Sequence, residues 1–158
     1  YNFIHFKEKQ IMAKLGRYSA NRIKIQEKTA DYTVQVNDCG TLFVINPAAD
    51  TTLTLPAAAD AGKGWWIEVM VDEQDGGTVD KDVNINVNDG TFFTGLLVAA
   101  DGGGASIGNG SSNDFISFDE GAATSGEMVR IVCLGSRYVA HGFIVDATDT
   151  LFGDAALS

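Results

Sequence analysis

Residues that do chemistry are scarce in this chain. It holds two histidines, two cysteines and two prolines in 158 residues. His5 lies in the N-terminal segment, and His141 sits in an apolar run, alternating with Val139 and Phe143 as a packed or half-exposed side chain would. Cys39 and Cys133 are far apart and in no metal-ligand spacing. They read as reduced thiols, and a disulfide is open to them only if the fold brings their Cα atoms to about 5–6 Å. No Gly-x-Ser-x-Gly elbow is present. The glycines at 102–104, 108 and 110 are not followed by Gly-Lys-Ser/Thr, which excludes a phosphate loop. No apolar run approaches the ~20 residues that span a bilayer, and the first residues lack the apolar stretch of a secretory leader.

Positive charge is missing from most of the chain. Residues 31–158 hold four Lys/Arg against nineteen Asp/Glu, whereas residues 1–30 hold seven Lys/Arg against two Glu. This asymmetry divides the chain into a basic arm (1–30), an acidic body (31–145) and an acidic tail (146–158). An acidic body repels nucleic acid, and Phe3, Phe6 and Tyr18 of the arm form no stacking pattern, so no nucleic-acid partner is expected. The arm's Lys7, Lys14, Arg17, Arg22 and Lys24 are candidates for docking onto an acidic surface. That surface is either a partner, a sister subunit or the chain's own body. Within the arm, Phe3 to Leu15 has the spacing of a short helix stopped by Gly16. Met12 opens Met-Ala-Lys-Leu-Gly-Arg-Tyr like an ordinary translation start, which makes residues 1–11 an upstream extension.

The body is organised around residues 41–71. Thr41 to Asn46, Thr51 to Leu55 and Gly64 to Val71 are apolar or alternating runs set apart by Pro47, Pro56, Gly62 and Gly64. In the third run Trp65, Ile67, Val69 and Val71 share one face and read as core. Trp66 and Met70 share the other, and they need cover from a second subunit. Ala57 to Ala59 has room for a single helical turn.

Tyr32 to Val36 with Thr41 to Asn46 reads as a hairpin across Asn37 to Gly40, and Val83 to Val87 with Thr91 to Val98 as another across Asn88-Asp89-Gly90. Glu127 to Leu134 and Tyr138 to Val145, joined by Gly135-Ser136-Arg137, read as a third. Gly95, inside a strand, marks a bulge or a close backbone approach. Residues 99–112 read as a Gly/Ser-rich loop, and Phe115 to Phe118 as a short strand. About nine short strands with frequent breakers predict an all-β fold, an antiparallel sandwich or barrel with an extended N-terminal arm.

The densest acidic stretch, 72–82, raises calcium through Asp72, Asp75, Asp80 and Asp82. Its spacing fits no known calcium loop, so a solvated loop is the expectation and no cofactor is assigned. Paired acids such as Asp119 and Glu120 are the best the chain offers a glycosidase reading, and neighbours on a turn do not face each other across a substrate.

One set of motifs, in order, resembles a family. It comprises Asp38-Cys39-Gly40-Thr41-Leu42-Phe43-Val44-Ile45, then Thr52-Leu53-Thr54-Leu55-Pro56, then Gly64 leading into an apolar strand. Asn88-Asp89-Gly90 with Gly95, and Gly126-Glu127-Met128-Val129-Arg130-Ile131-Val132, complete it. Across about residues 32–145 this is similar to the small β-rich head decoration (cement) and head-fibre proteins of tailed bacteriophages. Cys39 stands where serine is commoner in that pattern, and Tyr138 where tryptophan is usual. The resemblance implies a non-enzymatic virion protein on the outer surface of the capsid, a homo-oligomer (commonly a trimer) whose partner is the major capsid protein, with no membrane partner. It also implies, as the alternative, a tail-fibre or adhesin module that binds a host receptor or glycan.

Overall fold

Residues 41–45 alternate buried and half-buried side chains, and so do 66–71 and 83–86, while 128–133 alternate buried with half-buried or exposed ones. Each is therefore a strand with one face in a core and the other turned away from it. The computed structural model describes residues 23–72, 77–87, 91–100, 105–108, 113–145 and 150–153, with 105–108 and 150–153 as backbone. Its strands are β1 (Lys24–Lys28), β2 (Tyr32–Thr33), β3 (Thr41–Ile45), β4 (Thr51–Thr54), β5 (Trp66–Val71) and β6 (Val83–Asn86). They continue with β7 (Phe93–Ala99), β8 (Ala105–Gly108), β9 (Phe115–Phe118), β10 (Met128–Cys133), β11 (Tyr138–Ile144) and β12 (Thr150–Gly153). One helical turn, α1 (Ala58–Ala61), follows Pro56 as expected.

The strands form two sheets, one in the order β1-β3-β5-β10-β11-β7-β8 and one in the order β12-β9-β6-β4-β2. The all-β sandwich expected from the strand pattern is what the chain builds. Its sheets are mixed rather than antiparallel. β1, β3 and β5 lie parallel side by side in the large sheet. β2, β4 and β6 do the same in the small one. From β1 to β7 the chain crosses from one sheet to the other at every connection, so this half is wound as a coil. The hairpin expected between Tyr32–Val36 and Thr41–Asn46 is absent for that reason: β2 pairs with β4 and β3 with β5. A turn at Val36–Asp38 ends the first of those strands early. Likewise β6 and β7 belong to different sheets, and the turn proposed between them at 88–90 lies outside the described residues. The β10–β11 hairpin is present as expected, turned at Gly135 with φ 92°.

Three strands fall where none was expected. β1 makes residues 24–28 part of the large sheet, so the arm ends earlier than residue 30. β8 pairs with β7 inside the stretch read as a loop. β12 pairs with β9 inside the stretch read as a tail. All three are short, and β1 presents Lys24, Gln26 and Lys28 on its inward side, which masks the usual apolar alternation. The segment expected as a helix over 3–15 lies outside the described residues.

The core lies between the sheets. Phe43, Ile67, Val69, Ile131 and Leu97 face it from one side, and Leu53, Ile85, Ile116 and Phe118 from the other. Trp65, Ile67, Val69 and Val71 are all buried, as their alternation predicts. One end is closed by polar atoms that each find a partner. The Trp65 indole donates to the Val36 carbonyl at 2.9 Å, and the Tyr138 hydroxyl to the Pro56 carbonyl at 2.8 Å. Cys133 is buried beside α1, with its Sγ 3.3 Å from the Ala58 carbonyl, and Cys39 is exposed; both thiols are free. Gly95 is a close approach. Its φ is 143°, and a Cβ there would run into the carbonyl oxygen of Ala140 on β11.

Candidate functional site

On the side of the large sheet that faces away from the core, apolar surface has no cover among the described residues. Strand register sets its rows. In the central row Leu42 on β3, Glu68 on β5, Arg130 on β10, His141 on β11 and Leu96 on β7 lie side by side. The next row runs Val44, Met70, Met128, Phe143 and Val98 on the same strands. A third carries Trp66, Val132, Val139 and Thr94. β1 extends the same face. Because Lys24, Gln26 and Lys28 point inward, Ile23, Ile25 and Glu27 are turned out, and each isoleucine is more than half exposed. Phe143 is 74% exposed, an unusual position for a phenylalanine at the centre of a sheet face. A shallow depression of about 380 Å³ is lined by Leu96, Val98, Met128 and Phe143, with Glu68, Arg130 and His141 at its polar margin.

Arg130 organises the middle of this face. Its guanidinium lies 4.4 Å from the Trp66 ring centre, a cation–π distance, and Nη1 is 3.4 Å from Glu68 Oε1. Trp66 and Met70, the two residues expected to need a second subunit, are both here and half-buried. The sequence reading missed Phe143, Leu96, Val98 and Met128. The available signal was the run Thr91 to Val98, which is apolar on both sides, as a strand covered on both faces is.

Of the arm residues named for docking, Lys24 is the one among the described residues, and it pairs with the chain's own body. Lys24 Nζ is 3.1 Å from Asp38 Oδ1. The same carboxylate accepts from Gln26 Nε2 at 2.9 Å, the Tyr32 hydroxyl at 2.9 Å and the Gln35 backbone N–H at 3.0 Å. Burial by itself pushes the Asp38 pKa up. The bonds from Gln35, Lys24, Tyr32 and Gln26 more than reverse this and hold it down at about 2. Lys28 adds a cation–π contact, with Nζ 3.4 Å from the centre of the Tyr32 ring. The inward side of β1 is therefore fastened to its own body by charge. Lys7, Lys14, Arg17 and Arg22 lie outside the described residues.

The acidic residues raised for calcium serve the loops. Asp72 Oδ1 accepts from the Ser125 hydroxyl at 2.8 Å, and Asp82 Oδ1 from the Glu120 N–H at 2.7 Å. Asp80 lends its backbone carbonyl to Lys81 Nζ at 2.8 Å, and Asp75 lies outside the described residues. Among the described residues no three His, Cys, Asp or Glu side chains are grouped to hold a metal ion. Asp119 accepts a hydrogen bond from Ser117, and Glu120 Oε2 is 3.9 Å from Lys81 Nζ, so both belong to a loop network. Buried Glu127 likewise ties two backbone segments together, accepting from the N–H groups of Thr124 at 3.1 Å and Val145 at 3.0 Å.

No protein-family model, curated protein or solved structure matches this chain. The likeness to phage head proteins rests on the residues quoted for it above.

Proposed function

We propose that this chain is a non-enzymatic structural subunit of a virion, a decoration protein bound to the outer surface of a phage head through the major capsid protein. The observation that carries the assembly role is the apolar outward face of the large sheet, with Phe143 at its middle. A monomeric protein rarely shows so continuous an apolar surface unless something docks on it. The chemistry of the body agrees with this reading. The acidic groups Asp38, Asp72, Asp82 and Glu127 are engaged in holding strands and loops. The placement on a capsid comes from the motif order, and the net charge of −10 suits a protein carried in many copies on an outer surface. Many weak contacts repeated over a lattice supply avidity without one strong site.

The remaining cations of the arm, Lys7, Lys14, Arg17 and Arg22, are assigned to the capsid contact. Lys24 is not, because it is engaged with Asp38. The test is quantitative mass spectrometry of the purified virion. Hundreds of copies are expected, falling severalfold when Lys7, Lys14, Arg17 and Arg22 are all changed to Gln. Substitution is the right perturbation, since deletion through residue 28 would remove β1 as well. A dozen copies or fewer would replace this reading with the adhesin one, and unchanged occupancy of the Gln variant would remove the arm's role.

A further inference from the structure

We infer that the outward face of the large sheet docks on the same face of a second copy of this chain, about a two-fold axis that runs along the strands between β5 and β10. The charges on the face select this partner. Glu68 and Arg130 sit opposite each other on those two neighbouring strands. A two-fold axis between them lays each Glu68 against Arg130 of the second copy, twice per dimer. An isologous contact requires this kind of self-matching pattern. A purely apolar partner would instead strip water from both groups and return nothing, which is costly.

The flanks match under the same operation. β11 falls on β3 of the second copy, so Phe143 covers Val44 and is covered by it. β7 falls on the edge strand β1, so Leu96 meets Ile25, while Val98 meets Glu27 at the rim, where its carboxylate stays in reach of water. Met70 meets Met128, and Trp66 meets Val132. The area is that of a modest interface. Strands about 4.8 Å apart and about 3.3 Å per residue give six strands a footprint of roughly 450 Å² before side-chain relief, somewhat over half of the ~800 Å² per partner of a standard interface. Two sheets stacked face to face about 10 Å apart are an ordinary packing. This inference does not depend on a virion location.

The test uses the full chain in analytical ultracentrifugation. The wild type is expected to be a dimer at micromolar concentration. Glu68→Arg and Arg130→Glu, each placing like charges together twice, should weaken the dimer on the order of 100-fold or more. Mixing the two variants should restore a one-to-one dimer, because each then supplies the charges the other lacks, and the double variant should dimerise alone. Far-ultraviolet circular dichroism and thermal melting would verify that both single variants fold. A wild-type monomer, a trimer, or a dimer indifferent to either reversal would overturn the inference. So would a monomer whose Phe143 is shielded from hydroxyl-radical footprinting, since a segment of the same chain would then cover the face.

Discussion

Replacing Asp38 with Asn tests the idea that β1 is held by charge and not by core packing. β1 pairs along one edge with β3, yet the side chains it turns inward are Lys24, Gln26 and Lys28. Little apolar area anchors it. The anchor is the Asp38 carboxylate, which is 6% exposed and accepts from four donors. Depressing its pKa from 3.8 to about 2 corresponds to about 2 kcal/mol of stability. An Asn keeps one acceptor oxygen and turns an NH₂ toward groups that are themselves donors, leaving at least one of them unsatisfied at about 1 kcal/mol or more. The expected loss is about 2–4 kcal/mol at pH 7, a large share of the ~5–15 kcal/mol of a typical domain.

Urea denaturation reads the global part of this loss. Hydrogen exchange reads the local part, and amides of residues 24–28 should lose far more protection than those of β10. The pH dependence has a definite sign. A depressed carboxylate contributes its stability in full above its unfolded pKa, near 3.8, and loses it as pH falls through about 2. The gap between wild type and variant should therefore be constant from pH 7 to about 5 and shrink toward pH 2. An unchanged urea midpoint with unchanged β1 protection at pH 7, or a gap undiminished at pH 2, would refute the clamp.

Two further substitutions probe the sandwich itself. Gly95→Ala forces a Cβ into the Ala140 carbonyl at a φ of 143° that side chains rarely adopt. It should cost more than about 3 kcal/mol or prevent folding, and a melting temperature within about 2 °C of wild type would contradict the register of β7 on β11. Tyr138→Phe keeps the buried ring and leaves the Pro56 carbonyl without its 2.8 Å donor. The expected loss in urea unfolding is about 1–2 kcal/mol, and equal or greater stability would show that the bond carries none.

What the amino-acid order determined by itself was which way side chains face. The alternation of Trp65, Ile67, Val69 and Val71 against Trp66, Glu68 and Met70 predicted both the buried side of β5 and two members of the outward surface. Gly95 announced a close approach, and Gly135 the turn of the β10–β11 hairpin. Which strand lies beside which was decided only in three dimensions. A period of two records the face a residue occupies and is silent about the neighbour, so Tyr32–Thr33 and Thr41–Ile45 look the same whether they pair across a turn or pass into opposite sheets. The inward lysines of β1 show the same gap from the other side. In the sequence they belong to a basic arm, and only the fold brings Asp38 beneath Lys24 and the Tyr32 ring beneath Lys28, which gives each charged side chain a reason to face the core side. The rows of the outward face needed the fold for the same reason. Leu96, Met128 and Phe143 come from three separate runs, and pairing across β7, β11 and β10 is what makes them one surface.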